Sequence, residues 1–407
     1  MTAVKIAAGV ALATLALPVG AHAAVPQLSS RAAIAVEPQS ETVVFARNAA
    51  QKRKIASTTK MMTALVALER ASLDDVMVTV PYNAGAAESV AGFKAGERVT
   101  VRDLVRALMI TSANDAAMTL AVRTAGSESK FVALMNQKAR SLGLKNTSFA
   151  NPVGLDDADN YSTATDLVKL AFEVRKNDFL RDLVNRPSVR ITSGSHTRTF
   201  VNRNALVRNV PWVNGVKTGH TSSAGYVLVG SATRNGVTVL TAVLGAPSEA
   251  ARDRDTLALM RDSLSKFQVV TAVRAEDRLT AVPLAFRGDK TVDGVAALTV
   301  RRTVQSPNSL QVAVADVPKV IDGPLRRGER IGTVVVLEDG RIVSRTPLVA
   351  DEAVDAATFV DRLRTWLARP LTLLLLAIFA GSSVYVLRAR RKAVRRRESR
   401  LATRDRN

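Results

Sequence analysis

Three short motifs follow one another along this chain: Ser57-Thr58-Thr59-Lys60, then Ser112-Ala113-Asn114, then Lys217-Thr218-Gly219. They supply a hydroxyl nucleophile, an amine able to take its proton, a second hydroxyl to relay that proton and a cationic strand edge to hold a carboxylate. That set suits acyl transfer with lysine rather than histidine as base. Composition narrows the choice further. The chain has no cysteine, which excludes thiol catalysis, and its three histidines, His22, His196 and His220, show no metal-ligand spacing such as His-Glu-x-x-His. No metal or other cofactor is therefore expected. Counting alone leaves a Ser-His-Asp triad open, but there is no Gly-x-Ser-x-Gly elbow and His220 directly follows the third motif, so Lys60 is the better candidate base.

Each motif alone is weak. Ser127-Glu128-Ser129-Lys130 and Ser263-Leu264-Ser265-Lys266 repeat the first pattern, and Ser306-Pro307-Asn308 imitates the second. The elements that must carry them separate the copies. Ser57 opens an apolar helical stretch (Met61, Met62, Leu65, Val66, Leu68) in which Ser57 and Lys60, three residues apart, share a face. Ser127 follows Gly126 where a helix ends, and Ser263 lies in a charged amphipathic segment, so both are expected to be solvated surface residues. Thr100 with Asp103 reads as a capping pair for a helix reaching about Ile110, and a second helix runs from about Asp115 to Ala125. Ser112 and Asn114 then fall on the turn between two helices. Residues 225–232 and 237–244 read as strands joined at Asn235-Gly236, which places Lys217, Thr218 and Gly219 on or leading into a sheet edge, with Gly219 allowing a peptide backbone close approach.

Lysine acts as a base only when neutral, whereas its ordinary pKa of about 10.4 keeps it charged near neutrality. A buried cleft with a second cation, Lys217, is expected to push Lys60 down to about 7 or 8.

The motifs in this order resemble those of the penicillin-binding, active-site-serine superfamily, and the surrounding residues resemble its low-molecular-weight D-alanyl-D-alanine carboxypeptidase branch. The supporting text is His220-Thr221 with Ala224-Gly225-Tyr226, Asn202-Arg203-Asn204 upstream, and Asn151-Pro152-Val153-Gly154-Leu155 followed by Tyr161-Ser162. The similarity runs from roughly residue 33 to 267, and more loosely to about 350. Val153 stands where that branch usually carries histidine, Ala113 where glycine is common, and Ser222 and Ser223 where acids are frequent.

The resemblance implies an α/β transpeptidase-like fold: an antiparallel sheet from residues 33–46 and the strands after Lys217, covered by helices, with a helical lobe at about 74–183. It implies that Ser57 attacks the carbonyl of a penultimate D-alanine, Lys60 takes the proton and Ser112 passes it to the leaving amine. Asn114 holds the substrate backbone, the amides of Ser57 and His220 form an oxyanion hole, and Lys217, Thr218 and, less directly, Arg252 meet the terminal carboxylate along the strand that Gly219 continues. The expected partners are peptidoglycan stem peptides ending in D-Ala-D-Ala, and β-lactams as inhibitors. Two rivals stand beside this reading. A class A β-lactamase shares the motifs but adds a Glu-x-x-Leu-Asn segment absent between Asn114 and Lys217; an inactive wall-binding module would keep only the fold.

The ends of the chain speak to topology. Residues 6–17 are apolar and lead to Ala21-His22-Ala23, which reads as a secretory signal over 1–23. Residues 370–387 are uncharged and long enough for one transmembrane helix, with Trp366 near its start. Residues 388–407 carry ten Lys or Arg against two acids, an excess that marks the cytoplasmic side. A bacterial membrane protein with its catalytic domain, 24–268, outside is expected. A small β-rich domain at 269–350 and an amphipathic linker at 351–369 complete the order. The formal charge of +21 falls to +13 once the tail's +8 is removed, and no basic, aromatic-interleaved motif points to nucleic acid. Attraction to the cell membrane or to acidic wall polymers fits better.

Overall fold

The computed structural model describes residues 26–305 and 309–404, so the expected signal and the Ser306 motif copy lie outside the described residues. The chain divides between Phe267 and Gln268 into two compact units.

In the first unit the order is β1 (Ala32–Glu37), β2 (Thr42–Arg47), a 3-10 turn (Ala56–Thr59), α1 (Lys60–Leu68), β3 (Val76–Val78), β4 (Arg98–Thr100), α2 (Val101–Ile110), α3 (Asn114–Ala125), α4 (Glu128–Ser141), α5 (Ala164–Lys176) and α6 (Asp178–Val184). It continues with β5 (Ser188–Ile191), β6 (Arg198–Val201), α7 (Ala205–Asn209), β7 (Val213–Thr221), β8 (Gly225–Arg234), β9 (Val237–Ala246) and α8 (Glu249–Ser265). The main sheet is antiparallel in the order β2-β1-β9-β8-β7. β9 is buried along almost its whole length, as a central strand covered on both faces must be. Asn235 and Gly236 both take positive φ in the two-residue turn that joins β8 to β9, the twist-matched geometry for a tight hairpin. β7, which carries the third motif, is left at the edge.

On one side of the sheet, α1 is buried from Lys60 to Ala67, a helix apolar all round that the rest of the lobe encloses. Helices α2 to α6 and the two ribbons β3–β4 and β5–β6 build that lobe. The Thr100 hydroxyl accepts the Asp103 N–H at 3.2 Å to cap α2, but the Asp103 carboxylate does not return to Thr100. It accepts the Ser193 N–H at 3.0 Å and the Ser193 hydroxyl at 2.7 Å, pinning the segment after β5 to α2. On the other side, α8 turns Leu259, Met260 and Ser263 into the core. Ser263 is fully buried, which corrects the expectation of a solvated residue: it follows Leu259 by four positions, so the apolar stripe carries it inward. Its partner in the motif copy, Lys266, points out to Asp262 at 2.7 Å. Ser127 caps α4 by accepting the Lys130 N–H.

The second unit holds β10 (Gln268–Val273), β11 (Arg278–Pro283), β12 (Thr291–Ala296), β13 (Val300–Val304), β14 (Leu310–Ala315), β15 (Arg330–Glu338) and β16 (Arg341–Ala350). β10 pairs with β13, and the rest form a sheet ordered β11-β12-β16-β15-β14 around Val292, Val334 and Leu348. Then come α9 (Phe359–Leu367), opened by a Thr358–Asp361 capping box, and α10 (Pro370–Arg404). The stretch Pro370–Arg395 of α10 is long and apolar enough to cross a membrane. The helix continues past residue 387 into the basic tail.

Candidate active site

Ser57 sits in the 3-10 turn that leads into α1, and Lys60 is the first residue of that helix. One helical step therefore fixes their spacing, and the Lys60 Nζ lies 3.0 Å from the Ser57 Oγ. The Lys60 amine also donates to the Val153 carbonyl. The loop that supplies that carbonyl is tied to α1 by the Thr63 hydroxyl, which donates to Pro152 O at 2.6 Å. Lys60 is wholly buried, and burial drives its pKa well below the usual lysine value, with the Lys217 charge pushing the same way. Glu88 and Asp115 oppose and Arg203 reinforces that shift. A hydroxyl thus faces an amine poised to be neutral.

Two glycines hold the turn from opposite sides. A Cβ on Gly219 of β7 would stand 3.0 Å from the Ser57 N and 3.1 Å from the Ile55 O. One on Gly154, at φ +89°, would fall 2.2 Å from the Ala56 O. The backbone that approaches Gly219 is thus the chain's own nucleophile turn, a contact that strand pattern alone did not reveal.

Ser112 occupies the turn between α2 and α3 at φ +66°, a left-handed conformation that costs a non-glycine residue on the order of 1 kcal/mol or more. Its hydroxyl is buried with no hydrogen-bond partner among the described residues. Asn114, the first residue of α3, donates its side-chain amide to Glu88 at 2.7 Å. The Tyr82 hydroxyl donates to the same carboxylate oxygen, and the Gly85 N–H reaches the other at 3.1 Å. Because a carboxylate only accepts, Glu88 fixes which way the Asn114 amide faces. Glu88 and Tyr82 belong to an aperiodic stretch before α2, and only the motif-adjacent Asn114 pointed toward them.

Lys217 is buried under β7 and donates to the Thr218 carbonyl at 3.0 Å. Burial, with Arg203 and Arg252 adding like charge, lowers its pKa to about 7. A cavity of about 280 Å³ opens in front of β7, lined among others by Ser57, Ser112, Thr218, Gly219, His220 and Arg252. Lys60, Asn114 and Lys217 stand behind this wall rather than on it. Arg252 is held in α8 by Glu249 and Asp253 at 2.8 and 2.7 Å, while Arg254 is exposed. Arg203, singled out earlier only as part of an Asn-Arg-Asn run, also lines the cavity. His220 stacks on Tyr226 across the β7–β8 pair, ring centroids 4.1 Å apart.

The depressed Lys217 carries a stability cost of defined sign. Between about pH 7 and its unfolded value near 10.5, the unfolded chain binds a proton that the folded chain has released, so stability rises with pH across that window. Below about 7 the cost is present in full. Lys217→Met is therefore expected to raise the melting temperature at pH 6, and the gain should shrink by roughly 1.4 kcal/mol per pH unit above neutrality. Thermal unfolding of both proteins from pH 6 to 10 measures it; a pH-independent difference would contradict the assignment.

Residues 19–248, more than half of the chain, match the D-alanyl-D-alanine carboxypeptidase family model, and residues 267–356 match the C-terminal domain of penicillin-binding protein 5. Over 346 residues the chain is 28% identical to the D-alanyl-D-alanine carboxypeptidase DacF of Bacillus subtilis, covering 82% of this chain and 88% of that one. It is 31% identical to DacA of Haemophilus influenzae over 84% of this chain and 89% of that protein. The crystal structure of penicillin-binding protein 5 from Haemophilus influenzae superposes with a TM-score of 0.60 at 26% identity, covering 81% of this chain and 98% of that one. With its motifs around one cavity, its sheet and lobe, and its β-rich second unit, this chain belongs to the D-alanyl-D-alanine carboxypeptidase family.

Proposed function

We propose that the protein is a membrane-anchored serine carboxypeptidase that removes the terminal D-alanine from peptidoglycan stem pentapeptides through an acyl-enzyme, and that β-lactams acylate the same serine. The observation that carries this reading is the 3.0 Å contact between Ser57 Oγ and a buried Lys60 amine whose charged form is disfavoured. Ser57 Oγ adds to the carbonyl carbon of the penultimate D-alanine as its proton passes to Lys60 Nζ. The amides of Ser57 and His220 stabilise the oxyanion. The unpartnered Ser112 hydroxyl relays a proton to the leaving amine as the C–N bond breaks, and water then releases the acyl group from Ser57. Thr218 and Arg252, backed by the Lys217 charge, face the terminal carboxylate, and the Asn114 amide, oriented by Glu88, supports the peptide backbone.

The domain reading belongs to the same proposal: residues 1–23 direct export, the unit ending near 268 does the chemistry, residues 269–350 form a stalk, 351–369 lie along the membrane surface and 370–387 cross it. The basic tail at 388–407 then stays in the cytoplasm. Incubating the full-length protein with a pentapeptide ending in D-Ala-D-Ala is expected to release free D-alanine in stoichiometric excess over enzyme. No release would end the proposal, and a penicilloyl adduct shed within milliseconds would favour a β-lactamase instead.

A further inference from the structure

Behind the His220–Tyr226 stack lies a second cavity of about 360 Å³, which shares those two residues with the first and is otherwise lined by groups including Arg31, Arg53, Ser222 and Ser223. The position of Arg53 is built rather than incidental. Its backbone exchanges hydrogen bonds with Ser162 at 2.8 and 3.0 Å. Its guanidinium lies against Gly245, where even a Cβ would come within 3.1 Å of Arg53 Nη2. Among the described residues its Nε–H is buried without a partner, and its one side-chain hydrogen bond is a 3.3 Å contact from Nη1 to the Gln51 amide oxygen. Arg31 stands beside it, and burial together with the Arg31 charge lowers the Arg53 pKa.

No acid balances this pair among the described residues. Asp156 accepts the Thr221 hydroxyl at 2.8 Å, and Asp255 is taken up by the Ser29 and Ser30 amides at 2.8 and 2.7 Å. The Arg53 guanidinium and the Arg31 Cβ both crowd Gly245, so a fixed guanidinium with a second arginine beside it and no counter-charge offers a site for an anion, and the forked donors of arginine suit a carboxylate.

The direction of β7 says which carboxylate. On the function proposed above, the substrate's C-terminal carboxylate lies at Thr218 and its scissile carbonyl at Ser57 and His220. The acyl half then extends past His220 toward Ser222 and Ser223, away from Thr218. We infer that the Arg31–Arg53 cavity is a specificity subsite that takes a free carboxylate on the side chain of the stem residue immediately before the penultimate D-alanine. This inference rests on that functional reading.

Two peptides test it: acetylated tripeptides ending in D-Ala-D-Ala whose first side chain ends in a carboxylate or in the corresponding neutral amide. With the full-length protein in detergent micelles, kcat/KM is expected to be at least about ten-fold higher for the carboxylate. In Arg53→Gln this preference should fall below about three-fold while the amide peptide is turned over as before. Arg31→Gln, at an exposed position outside the core, should shift the ratio the same way. Calorimetric binding of both peptides to Ser57→Ala should show the wild-type ratio without turnover, which separates failure of the subsite from failure of the carboxypeptidase reading. Equal kcat/KM and equal binding for the two peptides, or a preference that survives both arginine substitutions, would overturn the assignment.

Discussion

Ser57→Ala is expected to lower D-alanine release by at least about 10⁴-fold and to abolish covalent labelling by penicillin, while the melting temperature stays within a few degrees of wild type. The change removes one oxygen from a turn that is fixed by its backbone: Thr58 N–H donates to Ile55 O at 3.2 Å and the Thr58 hydroxyl to the same oxygen at 2.7 Å. Lys60 retains its bond to the Val153 carbonyl, so the buried amine keeps a partner. What disappears is the only atom that forms the proposed acyl bond, and removal of a serine nucleophile in other acyl-transfer enzymes costs about 10⁶ in kcat. Mass spectrometry after incubation with penicillin reads the outcome directly. Equal labelling of wild type and variant would place the nucleophile elsewhere.

Lys60→Gln is expected to cost about 10³-fold or more in the acylation rate and to remove the acid limb of its pH profile. In the wild type the amine accepts a proton only when neutral, so acylation falls as pH is lowered and Lys60 becomes charged. Burial and the Lys217 charge place that limb far below the ordinary lysine range. Glutamine fills similar space and can still donate to Val153 O, but it cannot take a proton at any working pH. Its residual rate should therefore be flat where the wild-type rate falls. Stopped-flow acylation with a chromogenic β-lactam gives both profiles, and a parallel fall in the variant would transfer the proton-accepting role to another group.

Much of this arrangement could be read from residue order, and the exceptions have physical causes. The Ser57–Lys60 pair is legible because (i, i+3) spacing on a helix is a local geometric fact, and the β8–β9 hairpin because Asn235-Gly236 suits a two-residue turn. Helix α2 also begins where Thr100 predicted, yet Asp103 turned to Ser193, ninety residues away, since tertiary contact offered its carboxylate more donors than the cap did. Ser263 was misread because a polar residue on a charged helix suggests solvent, whereas its register with Leu259 decided its burial. Glu88 and Tyr82 stayed hidden because the stretch before β4 has no periodicity to place it.

Gly154 and Gly219 leave Ser57 no independence. Pressed between a loop on one side and a sheet edge on the other, the nucleophile has no private freedom to adjust: any bulky inhibitor that lifts the 151–155 loop or bends the edge strand drags the reactive oxygen with it. Substitutions that alter how an inhibitor fits without shifting the serine are thereby steered away from the turn, toward positions such as Ser222 and Ser223, which line the neighbouring cavity rather than the one in front of Ser57.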